Sequence, residues 1–162
     1  CAEIYKLEVD KGHTIANHTY SHLIFSGLYA SSDSFINDIK KQEELILDRT
    51  GYKTNIIRFP GGSGTSKAKL GVSGTESIIQ KLKEMNYGWV DWTAQDGDGG
   101  YLPNTNIAWN NFVSSINEDI EVILFHDYSN VTIDILPKAI EYLNDNNYII
   151  LPLFYDSIKV NK

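Results

Sequence analysis

The segment His18-Thr19-Tyr20-Ser21-His22 sets two imidazoles four residues apart. On a helical backbone the two rings share a face and can bring two nitrogens to about 2.1 Å from one zinc ion. The same spacing suits a pair of surface or hydrogen-bonded histidines. A His-Glu-x-x-His protease helix is argued against, because the glutamate is missing. A second group is Arg58-Phe59-Pro60-Gly61-Gly62, an arginine at the end of an apolar run followed by glycines that let a backbone N–H approach a ligand. A surface ion pair beside a structural turn explains that segment equally simply. A third is Leu124-Phe125-His126-Asp127, a histidine leaving an apolar strand, where a general acid or base or a hydrogen-bonded structural histidine would stand. A fourth is Asp91-Trp92 with Asp96 and Asp98. A carboxylate beside a histidine favours imidazolium, and Trp89, Trp92 and Tyr101 are of the type that stacks on sugar rings, although acidic turns and core tryptophans are common. His13 is read as structural, having no metal-spaced partner nearer than His18.

These groups need elements to carry them. Periodicity predicts a helix over Ala2–Lys11 closed by Gly12, a short strand at His13–Ala16, and a loop or single helical turn over Asn17–Ser26. A long helix runs from a cap at Ser32 to Gly51, with Phe35, Ile36, Ile39, Leu45, Ile46 and Leu47 at helical spacing. Asn55–Phe59 reads as a strand stopped by Pro60, Ser63–Gly74 as a long small-residue loop, and Thr75–Met85 as a helix. Tyr87–Trp92 reads as an aromatic strand, Gln95–Gly100 as a turn, and Ile107–Ile116 as a helix. The strand Val122–Phe125, the helix Ile133–Asn146, the strand Tyr148–Leu153 and a closing helical turn at Tyr155–Val160 complete the chain. Strands alternating with helices of ten or more residues mean parallel βα units, whose sites gather at the C-terminal strand ends. A chain of this kind ordinarily opens on a strand. This one opens on a helix, as if a leading βα unit were absent.

Bulk properties agree with that class. The 162 residues fit one domain, are 42% hydrophobic and 22% charged, and carry a formal charge of −7. A nucleic-acid partner is argued against, since phosphate binding needs a basic face. No apolar run approaches the ~20 residues of a membrane span. The single cysteine, Cys1, allows no internal disulfide and is read as a cut end instead of a lipidated terminus.

Taken jointly and in this order, His-x-x-x-His, Arg-Phe-Pro-Gly-Gly, the Asp-Trp strand and Leu-Phe-His-Asp resemble the polysaccharide deacetylases of the NodB-homology type, carbohydrate esterase family 4. The stretch Gly12-His13-Thr14-Ile15-Ala16-Asn17-His18-Thr19-Tyr20-Ser21-His22 is similar to that family's second motif almost residue for residue, and the resemblance runs from about Ala2 to Pro152. It implies an α/β fold, a distorted (β/α) barrel, over residues 1–162 as a single domain. It also implies hydrolysis of N-acetyl groups from a β-1,4-linked amino-sugar polymer, peptidoglycan or chitin-like, by a bacterial protein that is secreted or cell-wall associated.

The same resemblance implies site roles. His18 and His22 are metal ligands, with zinc the default and cobalt or manganese also suited, and an aspartate completes the set. A second aspartate takes the water's proton, Arg58 orients that base, and the Gly61 N–H helps hold the oxyanion. His126 protonates the departing amine, and Leu124 with Trp92 forms the acetyl-methyl pocket. The carboxylate beside His126 is Asp91 or Asp98, since alignment on Trp92 puts Gln95 at that position. The family's first motif supplies the base and third ligand from an Asp-Asp pair, and no such pair occurs here. The expectation is that it belongs to the leading strand, that this polypeptide alone binds zinc weakly, and that it is impaired. Two rivals are a glycan-binding module that kept the fold without the chemistry, and a cytosolic metal-dependent amidohydrolase of small molecules. Oligomeric state is open.

Overall fold

The computed structural model describes residues 2–101 and 104–155. The expectations for Cys1 and for residues 156–160 lie outside them. The chain forms two compact units, unit 1 from residues 1–91 and 152–162 and unit 2 from residues 92–151.

Unit 1 contains α1 (Ala2–Asp10), α2 (Ser32–Thr50), β1 (Ile56–Ile57), α3 (Gly62–Glu84) and β2 (Gly88–Trp89). Helix α1 ends at Gly12, whose φ of 84° allows His13 N to donate back to Glu8 O at 2.9 Å. Ser31, not Ser32, caps α2: its Oγ accepts from Ser34 N at 3.0 Å, and Gly51 closes the helix at φ 70°. The apolar stripe of α2 enters a core of Leu28, Tyr29, Phe35, Ile36, Ile39, Ile57, Phe59, Ile78, Leu82 and Tyr87. Strands β1 and β2 are parallel, with Ile56 opposite Gly88 and Ile57 opposite Trp89.

Two expectations fail in this unit. His13–Ala16 is not a strand; the ladder is reached only at Asn17, which makes a single parallel bridge to Ile57. Ser63–Gly74 is not a loop but the first half of α3, which runs on through a break at Gly71 (φ 78°, ψ 171°). Its glycines and serines suggest a loop, yet Ser66 and Thr75 join their hydroxyls across the break at 2.9 Å, and Asp91 receives the Ser63 amide in the first turn of the helix. Tertiary contacts override propensity there.

Unit 2 contains β3 (Ala94–Gln95), α4 (Thr105–Ser115), β4 (Ile123–Leu124) and α5 (Asn130–Asp145). Asn104 and Ser129 cap the two helices, accepting from Ile107 N at 3.1 Å and Thr132 N at 3.3 Å. Phe112, Ala139 and Leu143 form the buried centre, with Trp109, Ile123, Phe125 and Tyr142 packed on it. β3 and β4 are parallel, Ala94 opposite Ile123 and Gln95 opposite Leu124. The strand expected over Tyr148–Leu153 does not form. Ile149 and Leu151 are 81% and 74% exposed, so this apolar run gains no ladder partner among the described residues. No helix among the described residues is long and apolar enough to cross a membrane.

Candidate functional site

In unit 1 the site begins with a buried asparagine. Asn17 N donates to Ile56 O at 2.8 Å and Arg58 N donates to Asn17 O at 3.0 Å, so Asn17 lies beside β1 as β2 does on the other edge. His18, Arg58 and Asp91 therefore all follow C-terminal ends of neighbouring parallel segments. The Asn17 side chain, fully buried, donates Nδ2 to Ile39 O and accepts Thr19 N, both at 2.9 Å.

His18 and His22 are brought together by a loop, not by the helical face that their spacing suggests. Thr19 and His22 take left-handed φ values of 68° and 54°, and Asp38 Oδ1, from α2, accepts both Tyr20 N (2.7 Å) and Ser21 N (2.8 Å). The two rings end 5.0 Å apart, tilted by 57°. His18 Nδ1 lies 2.8 Å from Arg58 O. A carbonyl oxygen only accepts, so Nδ1 carries the hydrogen and Nε2 is the nitrogen with a lone pair for a ligand. Metal-binding histidines are oriented in this way by a bond from their other ring nitrogen. Among the described residues no three His, Cys, Asp or Glu side chains are grouped to hold a metal. The donor set offered is two imidazoles, which suits zinc or another borderline cation that takes a further donor elsewhere.

Arg58 follows β1 and is half-buried. Its Nε is buried without a hydrogen-bond partner among the described residues. Burial pushes the guanidinium pKa down, while the negative field of Asp91 works the other way. Asp91 is fully buried: Oδ1 accepts Ser63 N at 2.9 Å and Oδ2 accepts Ser63 Oγ at 2.6 Å, a carboxylate on the first turn of α3. Gly61 precedes that turn and Gly62 opens it, with φ of 72° and 81°. A Cβ on Gly61 would lie 2.7 Å from Thr65 Oγ1, so the position requires glycine twice over. Tyr29 donates to Pro60 O at 2.8 Å; burial first, and Asp91 second, push its hydroxyl pKa upward.

In unit 2 the same logic holds. Asp96 and Asp98 follow β3 and His126 follows β4, so all three stand at C-terminal strand ends. Asp98 Oδ1 lies 2.6 Å from His126 Nδ1, and Asp98 Oδ2 accepts His126 N at 2.6 Å. Of the two carboxylates left open by the sequence, Asp98 is the one bonded to His126, and Asp91 is engaged in unit 1 with Ser63. Burial alone would raise the Asp98 pKa, but its bonds to His126 and Thr132 prevail and hold it below the ordinary value. Tyr128, 70% exposed, sets its ring 5.0 Å from the His126 ring. Trp92 donates Nε1 to Gln95 Oε1 at 3.2 Å, and Leu124 is half-buried in β4.

Sequence reasoning missed Asn17, Asp38, Ser63 and Thr132, which orient the groups it found. Each has a partner 17 to 36 residues away, Ile39, Ser21, Asp91 and Asp96 in turn, that no local spacing signals. The Ser129 cap, which accepts from Thr132 N, lies before the helix start expected at Ile133.

Comparison with known proteins supplies the context. The family model described as polysaccharide deacetylase matches residues 1–86. A peptidoglycan-N-acetylglucosamine deacetylase of Bacillus cereus is 28% identical over 169 residues, covering 98% of this chain and 55% of the relative. The chain spans about half the length of the curated relatives it matches. Among solved structures, the catalytic domain of the peptidoglycan N-acetylglucosamine deacetylase from Eubacterium rectale superposes with a TM-score of 0.89 at 27% identity, covering 99% of this chain and 74% of that one. A pseudoenzyme of carbohydrate esterase family 4 from Bacillus anthracis shares the fold, with a TM-score of 0.71 at 21% identity over 91% of this chain and 47% of that one. The fold class is that of these deacetylase domains.

Proposed function

The chain belongs to the polysaccharide deacetylase family, and from that premise we propose that it serves metal-dependent removal of N-acetyl groups from a β-1,4-linked amino-sugar polymer, with peptidoglycan the preferred substrate. The observation that carries this reading is the His18–His22 pair, rings 5.0 Å apart, with His18 Nδ1 tied to the Arg58 carbonyl. It lies inside the segment that the family model matches.

In this reading His18 and His22 hold a divalent cation, zinc by default, together with a further donor. Bound there, the cation supplies Lewis acidity toward an acetamide carbonyl and toward water. The chain's own groups assist at several points, the base itself coming from the Asp-Asp motif expected on the leading strand. The backbone that Gly61 frees from a side chain offers an N–H to the developing oxyanion, as donors fixed in advance stabilise charge that appears in the transition state. Arg58 orients the base that takes the water's proton. His126, with Nδ1 held by Asp98, presents Nε2 as the donor to the departing amine. Trp92 and Leu124 receive the acetyl methyl group. The deacetylases named above support a cell-wall polymer as substrate, and the reading accordingly has the protein secreted or attached to the wall.

The test is acetate release from peptidoglycan fragments and from chitooligosaccharide, using the complete product of the reading frame with added zinc. Activity lost in His22→Ala and strongly reduced in His126→Ala is the expected result. Zinc binding, followed separately by calorimetry, falls in the first variant and holds in the second. Activity indifferent to both substitutions would overturn the reading. Polymer binding with no acetate release would favour a glycan-binding module in its place.

A further inference from the structure

Beside Asp98, unit 2 contains two polar residues, Asp96 and Thr132, that the proposed chemistry does not use. Thr132 Oγ1, on the first turn of α5, lies 2.7 Å from Asp96 Oδ2 and 2.7 Å from Asp98 Oδ2. Asp96 is fully buried, Thr132 is 3% exposed and Asp98 5%. A hydroxyl carries one hydrogen and can donate to only one of two carboxylates. The second contact, at hydrogen-bond length in a buried setting, is attractive only if the other carboxyl donates to the hydroxyl oxygen. One of the two aspartates is therefore a neutral acid.

The remaining contacts identify which. Asp98 is surrounded by donors: His126 N at Oδ2, His126 Nδ1 at Oδ1, and the Thr132 hydroxyl. Two N–H groups and a hydroxyl aimed at one carboxyl suit a carboxylate. Asp96 has less support. Its Oδ1 accepts Asp98 N at 3.0 Å, its Oδ2 meets the Thr132 hydroxyl beside the Asp98 carboxyl, and its backbone carbonyl accepts Asn111 Nδ2 at 2.9 Å. Burial first, and the Asp98 carboxyl after it, push the Asp96 pKa up. The titratable groups that act on the two aspartates are each other and His126; α5 contributes the neutral Thr132 and α4 the neutral amide of Asn111.

We propose that Asp96 is a neutral carboxylic acid donating to Thr132, which donates to the Asp98 carboxylate, so that Asp96 and Thr132 are positioning residues that keep Asp98 ionised against His126. Their role in catalysis rests on the reading of His126 as the acid; the protonation pattern does not. The electrostatics of the same contacts run in this order: burial drives the Asp96 pKa up, whereas the bonds to His126 and Thr132 hold the Asp98 pKa down. Without the neutral acid, two carboxylates would face each other through one hydroxyl, and repulsion would open the turn that carries them.

Infrared difference spectroscopy on the chain, compared with Asp96→Asn at pH 7, tests the proposal. The expected result is a buried neutral-carboxyl C=O band present in the wild type and absent from the variant. A second measurement follows the His126 ring resonances by NMR as pH is varied. Replacing a neutral acid by a neutral amide leaves the titration midpoint of wild type in place. Replacing an ionised carboxylate would lower it by about one pH unit or more, as loss of a nearby charge does. Thr132→Val interrupts the chain and shifts both the carboxyl band and the midpoint, and Thr132→Ser restores both; this pair carries the test if Asp96→Asn does not fold. Absence of the neutral-carboxyl band, a lowered midpoint in Asp96→Asn, or a Thr132→Val variant identical to wild type overturns the proposal. None of these readouts needs acetate release, so failure of the deacetylase reading would be seen separately.

Discussion

Replacing Asp91 with alanine tests how unit 1 holds the start of α3 and the Arg58 segment together. The carboxylate is fully buried and receives Ser63 N at 2.9 Å and Ser63 Oγ at 2.6 Å. Hydrogen bonds to a charged group are worth about 1.5–3 kcal/mol each. Ser63 is itself 2% exposed, so both bonds are lost in a setting closed to water. The Arg58 guanidinium, destabilised by burial, loses the negative field that opposes this cost. Recovering the desolvation energy of one carboxylate offsets part of the sum, and the net loss is about 3–5 kcal/mol, the usual range for removing one member of a buried charge arrangement. For a chain of this length that is a fall in Tm of roughly 10 °C. Asp91→Asn is the informative partner. Its Oδ1 still accepts the Ser63 amide and its Nδ2 donates to a reoriented Ser63 hydroxyl, so it forfeits charge but not connectivity and costs about 1–2 kcal/mol. Urea unfolding of the three proteins measures both values, provided the slope is unchanged. An alanine variant within about 1 kcal/mol of wild type, or an asparagine variant as damaged as alanine, would refute the argument.

Other substitutions probe the neighbouring pieces. Gly61→Ala should cost about 1–2 kcal/mol from the left-handed backbone and more from the contact with Thr65 Oγ1; adding Thr65→Ala should restore the steric part alone, read from a double-mutant cycle in urea. Asn17→Ala strands the Ile39 carbonyl and the Thr19 amide in a dry site, which should lower stability by about 2–3 kcal/mol and weaken zinc binding by calorimetry, because the loop bearing His18 and His22 loses its anchor. Asp98 and Asp96 should give opposite pH dependences. Asp98 has a depressed folded-state pKa, so the advantage of wild type over Asp98→Asn is present above the ordinary carboxylate value and disappears as pH falls through the lower folded value. Asp96 has a raised one, so its contribution is complete below the ordinary value and is lost as pH rises through the folded value. Denaturation midpoints across pH that move in parallel for the two variants would contradict the assignment.

The motif residues were legible in the sequence because their chemistry is local. His18 and His22, Arg58 with its glycines, and His126 leaving an apolar run can each be read from side-chain type, spacing and the rule that parallel strands gather sites at their C-terminal ends. The helices were legible for the same reason: Phe35, Ile36, Ile39 and Ile46 repeat with the helical period, and α2 follows. Where composition and tertiary contact disagreed, composition misled. The glycine- and serine-rich start of α3 read as a loop, and the apolar Tyr148–Leu153 read as a strand that finds no partner.

Side-chain type and order along the chain thus determined the family, the parallel βα plan and the candidate groups. Only the tertiary structure decided how those groups are held: a left-handed loop in place of a helical face for the two imidazoles, Asp98 instead of Asp91 against His126, and the buried Asn17, Ser63 and Thr132 that orient them. The physical reason is range. Propensity and periodicity act over one or two turns of chain, whereas a buried polar group must be satisfied by whatever the fold brings within about 3 Å, at any sequence distance.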